Sequence, residues 1–383
     1  MKLFQCQNCG QPLYFENIVC ESCGLALGYL AARETITALR PDTKNVSNQN
    51  APPQWKALAV SGRRYRYCAN FALGACNWLV RVDSPEQFCA GCRHNRTIPD
   101  LSIPENLVHW RMLEGAKHRL FYTLLKLRLP LVTRLEDPGG LAFDFLVDGS
   151  EPVLTGHDNG LITINLAEAD DAERERRRHQ MGEPYRTLLG HFRHEIAHYY
   201  WNLLVANSPS VVEKFRELFG DERADYGEAL KVYYANGAPA DWPARFVSAY
   251  ASSHPWEDWA ETWAHYFHMV DTLETAGAFG IAVKAKLSHH IATKIDFDPH
   301  SSDMKRLIEG WLPLTFAVNS INRSMGLHDL YPFVLSPPAI AKLSFVHDRI
   351  RAQAGHAEAP EGSLLAMIAG LRQLSLARAL RPR

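Results

Sequence analysis

Hydrophobic and polar positions divide the chain into stretches of different period. Near the front, LYFENIVC (13–20) carries strand character through Tyr14, Phe15, Ile18 and Val19. Pro104 to Leu129 has the spacing of one or two helices. LAFDFLV (141–147) alternates at period two and meets Asp148-Gly149, and 152–157 is expected to pair with it. GLITINL (160–166), opened by Asn159-Gly160, is the clearest strand, because it is β-branched, alternating and preceded by a hairpin turn pair. EADDAERERRRH (168–179) reads as a solvated helix face. From 184 to about 350 the period is helical, and Ala359 to Arg383 reads as an amphipathic helix with a basic end. The pattern predicts an α+β protein, mostly helical with a small β-sheet.

RPDTKNVSNQNAPPQW (40–55) is the most linker-like stretch. It separates two groups of cysteines. Cys6-x2-Cys9 and Cys20-x2-Cys23 lie ten residues apart, and each pair precedes a glycine, Gly10 or Gly24. Cys68-x7-Cys76 is followed after twelve residues by Cys89-x2-Cys92. Two four-ligand groups use all eight cysteines. Disulfides would fit an exported module, but MKLFQCQNCG has no apolar run of a secretory signal, so the spacing reads as two closed structural zinc sites. Four units follow: a zinc ribbon at 1–30, a second four-cysteine zinc module at 56–99, a catalytic domain at 100–350 and a helical tail at 351–383.

Composition narrows the partners. The chain has 383 residues, 46% hydrophobic and 22% charged, with a formal net charge of −1. No global basic bias draws it to nucleic acid or anionic lipid. No stretch approaches a membrane-spanning length: Leu120 to Val132 is interrupted by Lys126, Arg128 and Pro130. Reduced cysteines and the lack of a signal point to the cytoplasm.

The chemistry concentrates in HFRHEIAHYYWNLL (191–204). His194, Glu195 and His198 fit H-E-x-x-H. On a helix, residues four apart share a face, so two imidazoles can aim at one cation while Glu195 reaches the attacking water as general base. Zinc would lower the pKa of such a water from 15.7 toward roughly 7. With 17 histidines in the chain, a chance match on an amphipathic helix competes with this reading. His191, one turn upstream, reads as surface or as support for a ligand.

A catalytic zinc needs a third protein ligand. Trp201 and Leu204 occupy the positions where a metzincin would carry Gly and His. SHPWEDWAETWAH (253–265) offers carboxylates instead. Pro255 opens a helix, and Glu257 and Glu261 then lie one turn apart on one face. Glu257 is expected as the ligand, with Glu261 fixing a ligating histidine's tautomer. The reverse assignment stays open. So does a rival source in Asp221, Glu222 and Asp225, which otherwise read as a helix N-terminus. Trp259 and Trp263 form a packing stripe, and His265 and His268 read as helix surface.

These residues carry a resemblance. HEIAH followed about 60 residues later by EDWAE is similar to the gluzincin branch of zinc metallopeptidases, and EDWAETW resembles the corresponding segment of lethal-factor-like and Mlc-titration-factor-like peptidases. CANFALGACNWLV, CAGCRHNRTIPDL, GLITINLAEAD, FRHEIAHYYW and SAYASSHPWEDWAETWAHY together resemble bacterial zinc-binding metallopeptidases with an N-terminal zinc-ribbon domain. The resemblance covers about 1–350. It implies zinc, a zincin-like catalytic domain and a cytoplasmic setting. It also implies that Tyr250, seven residues before Glu257, stabilises the oxyanion, against a plain core role for that tyrosine. In zincins an edge strand binds extended substrate by strand addition; 160–166 is expected to be that strand, which favours a peptide or protein substrate. The expected metal content is one catalytic and two structural zinc ions.

Two other readings compete. Arg63, Arg64, Tyr65, Arg66 and Tyr67, with Arg93, His94 and Arg96, form a basic aromatic run that would suit nucleic acid, or a protein partner, at the ribbons; a solvated strand edge explains it equally well. A zincin domain that binds zinc without turnover is the other, although His194, Glu195, His198 and Glu257 are all present.

Overall fold

The computed structural model describes residues 2–42, 52–181, 187–286, 291–333 and 335–356. The expected tail helix at 359–383 and most of the expected linker lie outside these residues.

The front of the chain is mostly β, with short 3-10 turns at Ala31–Arg33, Ala69–Phe71 and Cys92–His94. β1 (Phe4–Gln5) and β2 (Pro12–Leu13) form a hairpin. β3 (Ala26–Leu30), β4 (Thr35–Pro41), β5 (Trp55–Ala57), β6 (Arg64–Tyr67) and β7 (Leu79–Arg81) make one antiparallel sheet in that order. The sequence places a linker at 40–55 between separate modules at 1–30 and 56–99. Instead β4 pairs with β5 across that stretch, Leu39 opposite Ala57 and Pro41 opposite Trp55. A polar run rich in Asn and Pro suits the connection of a hairpin as well as a linker, and only the non-local pairing tells them apart. Both cysteine clusters therefore hang from a single sheet. The same sheet absorbs much of the basic aromatic run. Tyr65 is buried, Tyr67 donates its hydroxyl to Leu27 O at 2.7 Å, and Arg66 donates to the carbonyls of Val82, Ser84 and Glu86. Arg63 and Arg64 face outward.

β8 (Asn95–Thr97) leads into α1 (Pro104–Lys126), started by Pro104 at its first turn. β9 (Ala142–Leu146), β10 (Gly156–Asp158) and β11 (Leu161–Asn165) complete a second sheet, ordered β10-β11-β9-β8. β9 runs parallel to both β8 and β11, while β10 is antiparallel at one edge. Two expectations change here. The 152–157 region pairs with β11, not with 141–147. The strand at 160–166 is internal, so the edge is β10. The Asn159-Gly160 turn (φ 43° and 85°) folds β10 back onto β11. A Cβ at Gly160 would sit 2.5 Å from Gly139 O, so the turn admits only glycine there.

The remainder is helical. α2 (Asp171–Met181) carries i,i+3 pairs such as Arg176–Glu173, as a solvated face should. α3 (Leu188–Leu204) is capped by Thr187, whose side chain accepts from Gly190 N. α4 (Pro209–Phe219) and α5 (Tyr226–Asn236) follow. α6 (Pro255–Ala278) is buried on nearly every face and forms the centre of the domain. A short hairpin of β12 (Ala282–Lys284) and β13 (Ala292–Lys294), then α7 (Met304–Ser324) and α8 (Pro337–His356), close around it. Trp259 and Trp263 are fully buried; Trp259 donates to Ala197 O at 2.8 Å and Trp263 stacks on Tyr200, which locks α6 against α3. Each such ring contributes roughly 1.5–3 kcal/mol through burial. Among the described residues no helix is long and apolar enough to cross a membrane.

Candidate metal centre

α3 presents His194 and His198 on one face, and the first turns of α6 present Glu257 and Glu261 toward them. One ligand atom from each of His194, His198 and Glu257 lies within 4.8 Å of the others. His194 Nε2 is 2.9 Å from Glu257 Oε2, and His198 Nε2 is 3.7 Å from Glu257 Oε1. His194 Nδ1 lies 2.7 Å from Glu261 Oε1, and Ser248 donates its hydroxyl to Glu261 Oε2 at 2.6 Å. Tyr226, from the start of α5, donates to Glu257 Oε1 at 2.9 Å.

This donor set fits a divalent cation. With Nδ1–H given to Glu261, the His194 Nε2 lone pair faces a carboxylate oxygen. Two acceptors at that distance need a proton or a metal between them. The electrostatics say the same. Burial opposes ionisation of His194, yet its hydrogen bonds to Glu257 and Glu261 raise its pKa well above the usual value. Burial also opposes ionisation of Glu257, but the His194 bond and the neighbouring imidazoles hold it down at about 2. Burial pushes His198 down to about 3, so it stays a neutral imidazole with a lone pair to give. Two imidazole nitrogens and a glutamate carboxylate form one of the recurring donor sets of catalytic zinc.

Glu195 lies on α3 beside the ligand cluster. Burial raises its carboxyl to about 7, with Glu257 and Glu261 adding and His194 opposing. Tyr250, in a short 3-10 turn at 250–252, has its ring centroid 5.9 Å from that of His194. Trp256 packs 4.5 Å from the His198 ring, and His157 of β10 lies 5.9 Å from it.

Other expected residues fall elsewhere. Asp225 caps α5 by accepting from Glu228 N, while Asp221 and Glu222 pair with Arg223 and Arg216, outside the cluster. His191 pairs with the buried Glu168 at 3.4 Å. His265, read from the sequence as helix surface, is buried with Nδ1 2.8 Å from Tyr331 Oη, because α6 has no free face there. His268 is half-buried beside Arg193. Tyr226, Ser248 and His157 are beyond the reach of the sequence; they come to the site from three separate elements, with no spacing to announce them.

The two cysteine groups also converge. In the first, Cys6 Sγ is 3.8 Å from Cys23 Sγ and Cys9 Sγ 3.6 Å from Cys20 Sγ. A zinc–sulfur bond of ~2.3 Å gives a tetrahedron edge of about 3.8 Å. Gly10 and Gly24, at φ 79° and 70°, close the two knuckles. In the second, the four Sγ atoms of Cys68, Cys76, Cys89 and Cys92 lie within 4.8 Å of one another and all four residues are buried.

Comparison with known proteins agrees. A family model described as "Putative zinc-binding metallo-peptidase" matches residues 106–349, and a model described as a zinc-ribbon domain matches 3–103. Uncharacterized proteins of Mycobacterium bovis and Mycobacterium tuberculosis are 43% identical over 348 residues, covering 91% of this chain and 94% of theirs. No solved structure matches. Cysteine clusters at the front, a histidine–carboxylate cluster behind them and both family models place this chain in the zinc-binding metallopeptidase family that carries an N-terminal zinc-ribbon domain.

Proposed function

We propose that the chain is a zinc-dependent peptidase of gluzincin type, working in a reducing compartment such as the cytoplasm. The carrying observation is the convergence of His194, His198 and Glu257, with Glu195 beside them on the same helix. These three residues would hold the catalytic zinc, and the two cysteine groups two structural zinc ions. Bound there, zinc would polarise the scissile carbonyl and acidify the attacking water.

The chain's own residues supply the rest. Glu195 accepts the proton of the attacking water and returns it to the leaving amine. Glu261, held by Ser248, fixes the His194 ring through its Nδ1–H, and Tyr226 holds Glu257. Tyr250 donates to the developing oxyanion. β10 is an edge strand whose His157 ring lies 5.9 Å from that of His198, and an extended peptide would add there as a further strand. Trp256 packs against the His198 ring.

The test is direct. The zinc-loaded full chain is incubated with a mixture of extended peptides and the products are read by mass spectrometry. Cleavage is expected, abolished by a chelator and restored by zinc; a fully loaded chain that leaves every peptide intact sinks the proposal. His194→Ala should carry one zinc fewer than the unsubstituted chain. Tyr250→Phe should lower kcat by roughly 10²–10³, as loss of an oxyanion donor does, with KM little changed. A pH profile adds a sign. Glu195 must be ionised to accept a proton, so activity falls as pH drops through its pKa. That pKa is about 7 without a cation, and a bound cation lowers it. The acid limb of kcat/KM is therefore expected below pH 7.

A further inference from the structure

We infer that the second zinc centre is completed from outside the ribbon, by His118 of α1, in a Cys76–Cys89–Cys92–His118 tetrahedron with Cys68 as the alternate fourth donor. His118 Nε2 lies 3.3 Å from Cys76 Sγ, 3.5 Å from Cys92 Sγ and 3.8 Å from Cys89 Sγ. With zinc–sulfur bonds of ~2.3 Å and zinc–nitrogen bonds of ~2.0–2.1 Å, a tetrahedron of three sulfurs and one nitrogen has nitrogen–sulfur edges of about 3.5 Å. The three distances bracket that edge. Cys76 Sγ and Cys89 Sγ, 3.7 Å apart, match the sulfur–sulfur edge of the same figure.

The ring is also oriented for ligation. His118 Nδ1 donates to Glu114 O at 2.7 Å, one turn back on α1. That bond takes the proton on Nδ1 and leaves the Nε2 lone pair aimed at the three sulfurs, the arrangement that fixes ligating histidines. The knuckle is shaped to admit the ring: a Cβ at Gly91, between Cys89 and Cys92, would sit 3.3 Å from His118 Cδ2. Beneath it Glu114 accepts from Lys117 Nζ at 2.6 Å and from Asn95 Nδ2 at 2.9 Å, all three within or beside the same buried layer.

Five donors therefore surround a cation that takes four, and one comes from the helix that opens the metallopeptidase domain. The ribbon model ends at residue 103 and the peptidase model starts at 106, yet this donor is at 118. The second zinc thus clamps the front sheet to α1. The centre is separate from the His194 cluster, so its ligand set can fail or hold whatever the outcome of peptide cleavage.

Zinc per chain, counted by native mass spectrometry on the full protein, tests this. Cys68→Ser is expected to keep the same count as the unsubstituted chain, because His118 remains. Cys68→Ser with His118→Ala leaves three donors and should lose one zinc. If Cys68→Ser alone loses one, or if the double variant loses none, the assignment is overturned. Should Cys68→Ser fail to fold, cobalt loading of His118→Ala decides. Replacing nitrogen by the softer Cys68 sulfur should move the ligand-field bands to lower energy, toward an all-thiolate site, and loss of one cobalt supports the assignment equally. Bands identical to those of the unsubstituted chain would overturn it.

Discussion

Glu195→Gln is expected to keep the fold and the full zinc count while hydrolysis falls by roughly 10²–10⁴-fold, the contribution of a positioned general base. The expectation follows from where Glu195 stands. It is on α3 between the two histidines but outside the cluster formed by His194, His198 and Glu257. Glutamine has the same shape, so nothing in the donor set moves. What it lacks is a basic oxygen. Burial already makes the ionised carboxylate costly, with a pKa raised to about 7. A neutral amide avoids that cost, so the thermal midpoint should stay level or rise. Three readouts are needed together: zinc per chain, thermal midpoint and peptide cleavage rate. A variant with full zinc and an unchanged cleavage rate would remove Glu195 from the mechanism. A variant that lost zinc would instead move Glu195 into the metal's coordination.

Much of this site is written in local spacing. The i,i+4 pair of His194 and His198, and the similar pair of Glu257 and Glu261, each put two groups on one helix face, which one sequence can show. The four Cys-x-x-Cys or looser pairs are equally local. What is not local stays hidden. The chain alone does not say that β4 pairs with β5 across 43–51, so one sheet reads as two modules. It does not say that β9 inserts beside β11, so an internal strand reads as the edge. Tyr226 and Ser248 come from separate elements, 31 and 13 residues from the carboxylates they hold. His265 differs from its expectation for another reason. Helical period predicts a polar residue to be outside, but α6 is enclosed by α3, α7 and α8, so even its polar stripe lies in the core and must find partners there.

Lys342→Met is expected to destabilise the protein by about 3–5 kcal/mol, the cost of leaving a buried charge without its partner. Lys342 Nζ lies 2.5 Å from Asp258 Oδ2, with 6% and 0% of the two side chains exposed. It also donates to Arg245 O at 3.0 Å and lies 4.2 Å from the Phe246 ring centroid. One side chain of α8 thus holds the first turn of α6, the turn that also carries Glu257. At roughly 2–4 °C per kcal/mol for a domain of this size, the midpoint should drop by roughly 6–20 °C. The deficit should depend on pH. Burial pushes Asp258 up from 3.8 to about 7 even with Lys342 opposing it, and without the lysine the folded value rises further. Between the unfolded value and that raised one, the folded state keeps a proton that the unfolded chain has released, so stability falls as pH rises. The unsubstituted chain shares that fall up to about pH 7, so the variant's deficit is smallest below pH 7 and grows above it. Adding Asp258→Asn removes the charge that the lysine compensated and should recover most of the loss at alkaline pH. A single variant whose midpoint matches the unsubstituted chain in mildly alkaline buffer would show that the pair does not anchor α8 to α6. If the midpoint falls but zinc content holds, the anchor serves the fold alone; if zinc is lost as well, the first turn of α6 needs Lys342 to keep Glu257 in place.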